Sequence, residues 1–280
     1  RDRRRCRTTG PAASARPPLL RRLSSRIPAN APRWSRPILA ARFTGTLRVL
    51  RSNRPAAQAH PGRRVWTRQE LEALLALCKK HDVAIVSDEI HQDLTLSSYT
   101  FTPLLTLAKG YEHKVVSLTS MTKTFNIAGI KGSMIFAKDD ALIKKIGKQQ
   151  QLNDEYELNL FAYEVMRSAY EEGDEWLEQA LNYIEANVDL TISFLKQHLP
   201  DIKIMRPEAS YLIWLDCSAY AQDNQKLYDK LREAKVELNA GVKYGAEGHL
   251  KMRLNVACPE ALLREGLNRV SAAFSGDVKA

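Results

Sequence analysis

The chain has 280 residues, 44% of them hydrophobic, with 42 basic and 32 acidic residues and a formal net charge of +10. That length buries a sizeable core in one large or two modest domains, and no stretch approaches the ~18 uninterrupted apolar residues of a membrane span. The four cysteines (Cys6, Cys78, Cys217, Cys258) form no close pair, which argues against a disulfide frame or zinc site and reads as a reduced, cytoplasmic chain.

The charge is unevenly spread. Residues 1–64 hold 17 Arg, no Lys and one acid, Asp2, for a net of +16, while the rest of the chain carries −6. The same stretch contains eight of the twelve prolines and no sustained apolar period. It could be an arm that neutralises nucleic-acid phosphates, or a transit peptide, Arg- and Ser-rich and poor in acids. The third reading is out-of-frame or chimeric translation of GC-rich DNA, which gives this Arg/Ala/Pro/Ser texture. The third is favoured, the segment is expected to be disordered, and, with no Met at position 1, a fragment is expected.

Order is expected from "RVWTRQELEALLALCKKHDVAIVSDEIH" onward. Thr67 and Glu70 make a capping box, and Leu71, Leu74, Leu75 and Cys78 share one helical face. Val83-Ala84-Ile85-Val86 is a wholly apolar run, the pattern of a parallel strand buried on both faces, with Asp88 and Glu89 at its carboxyl end. A second buried strand is predicted at 114–118 and a third at 132–137, with Asp139 capping the helix that follows. Residues 156–198 read as helix broken near Gly173-Asp174. Strands at 202–205, 211–217 and 249–257 and helices over 224–235 and after Pro259 complete a smaller α+β unit. The domain division expected is 1–64, 65–172 and 173–280. Trp176 and Trp214 are expected in the core, and His81, His113, His198 and His249 show no ligand spacing. No metal site is expected.

In an α/β sheet, ligands bind outside the carboxyl ends of the strands. Asp88 and Lys123 both emerge there, and Lys123 lies in the hydroxyl-rich stretch "SLTSMTKTFNIAG". A lysine amine condenses with an aldehyde to form an imine. If that aldehyde is pyridoxal 5'-phosphate (PLP), a carboxylate can keep the pyridine nitrogen protonated, making the ring an electron sink. Ser120, Thr122 and Lys131 are close enough in sequence to serve the phosphate.

"SDEIH" with "TSMTKTFNIAGIKGS" resembles the PLP-dependent fold-type-I enzymes, the aspartate aminotransferase superfamily. Within it the likeness is greatest to the carbon–sulfur β-lyases of the MalY/PatB type. The motif residues are Ser120, Lys123, Phe125, Gly129 and Lys131. Lys131 stands where an aminotransferase usually has Arg, and His91 where it usually has Tyr. "MRLNVACPEALLREGLNRV" is similar to the family's C-terminal segment. The resemblance covers about residues 64–275 and implies an α/β fold: a truncated PLP-binding large domain with a mostly parallel sheet, plus a small α+β domain. It implies that Lys123 bears the cofactor and moves the proton, that Asp88 pairs with the pyridine N–H, and that His91 stands near the ring hydroxyl. It further implies Ser120, Thr122 and Lys131 at the phosphate and Arg253 on the substrate carboxylate. The reaction implied is β-elimination from cystathionine or another cysteine S-conjugate, giving a thiol, pyruvate and ammonia. Transamination by the same groups is an alternative, as is a non-catalytic PLP- or nucleic-acid-binding regulator. A homodimer is implied, with no membrane partner. Of the family's longer amino-terminal half, with its ring-stacking aromatic and "Asn-Pro-x-Asn-Pro-x-Gly" turn, only Pro61-Gly62 has a counterpart, so a chain inactive as written is the further expectation.

Overall fold

The computed structural model describes residues 64–154 and 157–275, together with the backbone of two strands, β1 (Ile38–Arg42) and β2 (Thr46–Leu50). These two strands fall within the segment for which no regular structure was expected. Their runs, Ile-Leu-Ala-Ala and Thr-Leu-Arg-Val-Leu, are short apolar islands between arginines, too brief to register as a period. The remaining residues of 1–63 lie outside the described residues, so the readings of that segment as an arm, a transit peptide or an artefact do too.

Helix α1 (Arg68–Lys80) begins at the expected capping box: Thr67 Oγ1 accepts from the Glu70 N–H, and the Glu70 carboxylate accepts from the Thr67 N–H. It buries Leu71, Leu74, Leu75 and Cys78 and delivers the chain to β3 (Ala84–Asp88). A short helix α2 (Leu104–Leu107) then precedes β4 (Val115–Thr119), the one-turn helix α3 (Met121–Thr124) and β5 (Met134–Phe136). These strands form one sheet in the order β2-β1-β3-β4-β5. Its centre, β1, β3 and β4, is parallel, while β2 and β5 run antiparallel at the edges. Leu71, Cys78, Ile85, Leu104, Tyr111 and Val115 form the core beneath it. The edge position of β5 explains why Met134 and Ile135 are only partly buried and Phe136 is exposed.

Helix α4 (Asp140–Leu152) starts at Asp139, whose carboxylate accepts from the Leu142 N–H. Helices α5 (Leu160–Glu172) and α6 (Asp174–His198) meet at Gly173, as the sequence break predicted. A second sheet follows from β6 (Lys203–Met205), β7 (Leu212–Asp216), β8 (Asn239–Ala240) and β9 (Lys251–Asn255), in the order β6-β7-β9-β8 and antiparallel throughout. Helices α7 (Asn224–Glu233) and α8 (Glu260–Ser275) belong to this part. Its core gathers Val188 and Leu195 of α6, Ile213 and Leu215 of β7, and Leu267 and Phe274 of α8. Trp214 is buried, but outside that cluster and edge-on to Tyr244, and Trp176 is 50% exposed, against expectation. It stands in the first turn of α6, where its ring packs at a tilt on Phe125.

The two sheets are joined by a seam. Thr95 and Ala209 form a β-bridge, the Leu96 N–H donates to the Glu208 carbonyl (3.0 Å), and the Ser210 N–H donates to the Leu94 carbonyl (2.7 Å). No helix among the described residues is long and apolar enough to cross a membrane.

Candidate active site

The parallel register of β3 and β4 decides what meets at the sheet edge. Asp88, the last residue of β3, stands opposite Leu118. Beyond that pair the two chains leave side by side: the Glu89 N–H donates to the Leu118 carbonyl (2.7 Å), and Thr119 Oγ1 donates to the Glu89 carbonyl (3.4 Å). One chain carries Asp88, Glu89 and His91; the other turns at Ser120 into α3 and Lys123. A carboxylate and an amine thus reach the same carboxyl edge of a parallel sheet, where α/β proteins bind ligands.

Lys123 is partly buried, and its amine has no hydrogen bond or ion pair among the described residues. Asp88 is also partly buried, and its carboxylate accepts from the Ile90 N–H (3.4 Å). His91 is buried at the seam, its Nδ1 3.4 Å from Ser210 Oγ and its ring edge-on to Tyr211. Ser120 caps α3 by accepting from the Thr122 N–H (3.1 Å). Its hydroxyl also lies 2.8 Å from Thr122 Oγ1 and 2.6 Å from the Gly132 carbonyl. Of the two hydroxyls expected at a phosphate, that of Ser120 here ties the lysine turn to Gly132, just before β5, and that of Thr122 meets Ser120 within the turn. Lys131 is exposed, its backbone is left-handed (φ 58°), and its ammonium has no partner among the described residues.

Arg253 lies on β9, paired with Trp214 of β7 and Asn239 of β8. Its guanidinium donates to the Asn239 side chain and sits over the Tyr244 ring, 4.8 Å from the centroid. Its Nε is buried with no hydrogen-bond partner. A buried guanidinium N–H left unmade is costly unless an acceptor arrives, and a carboxylate is the acceptor that such a fork matches.

Two residues around the lysine, Asp93 and Thr124, were not foreseen. Asp93, two positions past His91, accepts from Thr124 Oγ1 (2.9 Å). Phe125 packs its ring on Trp176 (centroids 5.5 Å apart) and meets Tyr170 edge-on (6.4 Å). An open cleft of about 390 Å³ is lined by Phe125, Ile127, Glu164, Ser168 and Gly173, and neither Asp88 nor Lys123 lines it. Thr124 adjoins Lys123 and Asp93 lies two positions past His91, but nothing in their spacing says that they meet. Among the described residues no cluster of His, Cys, Asp and Glu could hold a metal ion.

The family model described as aminotransferase class I and II matches residues 60–270. The chain belongs to that family. Among curated proteins, it is 42% identical over 217 residues to cystathionine beta-lyase PatB of Bacillus subtilis (strain 168), a match covering 77% of this chain and 56% of that protein. It is 31% identical over 213 residues to protein MalY of Escherichia coli (strain K12), covering 74% and 53%. Among solved structures, a PLP-bound putative aminotransferase from Clostridium difficile 630 matches with TM-score 0.75 and 35% identity, over 77% of this chain and 56% of that one. Cystalysin from Treponema denticola, which contains a pyridoxal 5'-phosphate cofactor, matches with TM-score 0.74 and 28% identity, over 76% and 54%. The chain therefore spans about half the length of the curated relatives it matches.

Proposed function

We propose that this chain is the PLP-binding and substrate-binding part of a carbon–sulfur β-lyase, converting cystathionine or a related cysteine S-conjugate and water to a thiol, pyruvate and ammonia. The observation that carries the reading is the Asp88–Leu118 register, which brings the Asp88 carboxylate and the Lys123 turn out at one sheet edge. The likeness to cystathionine beta-lyase PatB supports the choice of substrate class.

The residues present fit PLP. A partly buried amine without a partner suits the cofactor's aldehyde carbon, and a carboxylate on the adjacent strand suits its ring nitrogen. When bound, PLP supplies an electron sink for charge at the substrate Cα. The Asp88 carboxylate holds a proton on the ring nitrogen through a charge-assisted hydrogen bond. The Lys123 amine would hold the cofactor and would serve as the base for the substrate Cα proton. Arg253 binds the substrate α-carboxylate with the Nε edge left open by Asn239. Lys131 supplies a cation for the phosphate, with Ser120 and Thr122 beside it, and His91 stands near the ring hydroxyl. Residues 65–172 carry the cofactor side of this site and 173–280 the substrate carboxylate side. The reading includes a cytoplasmic homodimer; Leu160 and Phe161, 72% and 75% exposed, offer apolar surface for a second copy.

Incubation of the chain with PLP and cystathionine is expected to release pyruvate at a rate proportional to protein. No pyruvate, but amino transfer to a 2-oxo acid, would replace the lyase by a transaminase. Loss of pyruvate release in Arg253→Ala through a raised KM, with kcat less affected, is the expected mark of a carboxylate contact.

A further inference from the structure

The turn that carries Lys123 is a helix of four residues, Met121–Thr124. A single helical turn does not hold itself, because nucleation fixes several backbone angles for one hydrogen bond. It must be held from outside. Ser120 ties its start to Gly132, and Phe125, just past its end, is wedged against Trp176 and against Gly173, where an added Cβ would lie 2.5 Å from the Phe125 ring. Neither anchor refers Lys123 to the strand end that bears Asp88.

One contact does. The buried Thr124 hydroxyl donates to Asp93 Oδ2 at 2.9 Å, and Asp93 lies in the 3₁₀ turn Gln92–Leu94, directly after His91. We propose that the Thr124–Asp93 hydrogen bond is a latch that fixes the lysine turn to the loop after β3, making Asp93 and Thr124 positioning residues for Lys123. The consequence for cofactor attachment rests on the function proposed above; the latch itself does not. A hydroxyl-to-carboxylate bond in a largely buried place is among the stronger kinds. It joins two segments that otherwise meet here through the strand-end bonds of Glu89 with Leu118 and Thr119. Burial pushes the Asp93 carboxyl up, and its bonds to Thr124 and the Gln92 side chain oppose that rise.

The test compares Thr124→Val, nearly the same shape without the donor, with Thr124→Ser, which keeps it, and Asp93→Ala with Asp93→Asn, which keeps an oxygen acceptor. All are made in the full 280-residue chain. Amide hydrogen exchange over residues 121–125 is read without cofactor. It is expected to quicken about tenfold in Thr124→Val and Asp93→Ala, relative to the strands β3 and β4, and to stay near the parent in Thr124→Ser and Asp93→Asn. Separately, each protein is mixed with PLP, reduced with borohydride and peptide-mapped; the share of label on Lys123 is expected to fall several-fold in the first pair only. Unchanged exchange in Thr124→Val, or exchange quickened uniformly across the molecule, overturns the latch. Should the parent chain carry no label on Lys123, the proposed function fails, and the exchange comparison still decides the latch.

Discussion

Glu89 shows how a carboxyl beside a candidate site can serve the fold instead. It is 3% exposed, and its Oε1 accepts from Ser87 Oγ (2.6 Å), Ser117 Oγ (3.0 Å) and the Leu104 N–H (3.2 Å), joining β3, β4 and α2. Burial pushes its pKa above the ordinary 4.5, and the donors only partly oppose this. A carboxyl raised in the folded state contributes stability in its protonated form, and that contribution is lost as pH rises above 4.5 through the folded value. Glu89→Gln keeps an oxygen acceptor and cannot ionise. Its stability relative to the parent is therefore expected to improve from about pH 5 to about pH 8, read as urea midpoints; a constant difference would contradict this account. The thiols make a simpler case. Burial pushes Cys78 up to about 11 and Cys217 up to about 12. Because the thiolate is the reactive form, both are expected to resist alkylation at neutral pH until the chain unfolds, as mass shifts would record.

Among elements, the best test of the sequence reading is the start of α1. The capping box satisfies two backbone donors reciprocally, so Thr67→Ala is expected to cost about 1 kcal/mol in denaturant unfolding. Gly173 is the joint of α5 and α6, where an added Cβ would meet the Ala169 carbonyl at 2.3 Å and the Phe125 ring at 2.5 Å. Gly173→Ala is expected to cost about 1–3 kcal/mol by overpacking, and a neutral result would mean that the joint is looser than described. The elements legible in the sequence were those with a dense local signal: the Thr67 box, the apolar runs before Asp88 and Ser120, the Asp139 cap, and the break at Gly173. The rest depended on contacts far apart in the chain. The seam of Leu94–Leu96 with Glu208–Ser210 and the two-residue strand β8 are backbone pairings without a periodic pattern. Trp176 was misjudged because its apolar ring packs on Phe125 while half of the residue stays exposed.

For the whole molecule, Asp88 and Lys123 were legible as site candidates because a carboxylate and a lysine each followed a buried strand, and parallel pairing brings such ends to one edge. Arg253 was legible only by resemblance, and its Asn239 and Tyr244 partners lie 14 and 9 residues away on β8 and in the turn after it. What the described residues leave uncovered is also informative: α4 buries none of its residues and α5 only Ala162, while the chain spans about half of the relatives it matches.

The central claim is that the amine of Lys123 and the carboxylate of Asp88 serve one PLP molecule. The most direct measurement is the visible absorbance of the purified chain mixed with PLP and freed of excess cofactor, for the parent, Lys123→Ala and Asp88→Asn. The account predicts a protein-bound band in the parent, its loss in Lys123→Ala, and a displaced band with weakened retention in Asp88→Asn. A band that persists unchanged in Lys123→Ala would contradict it.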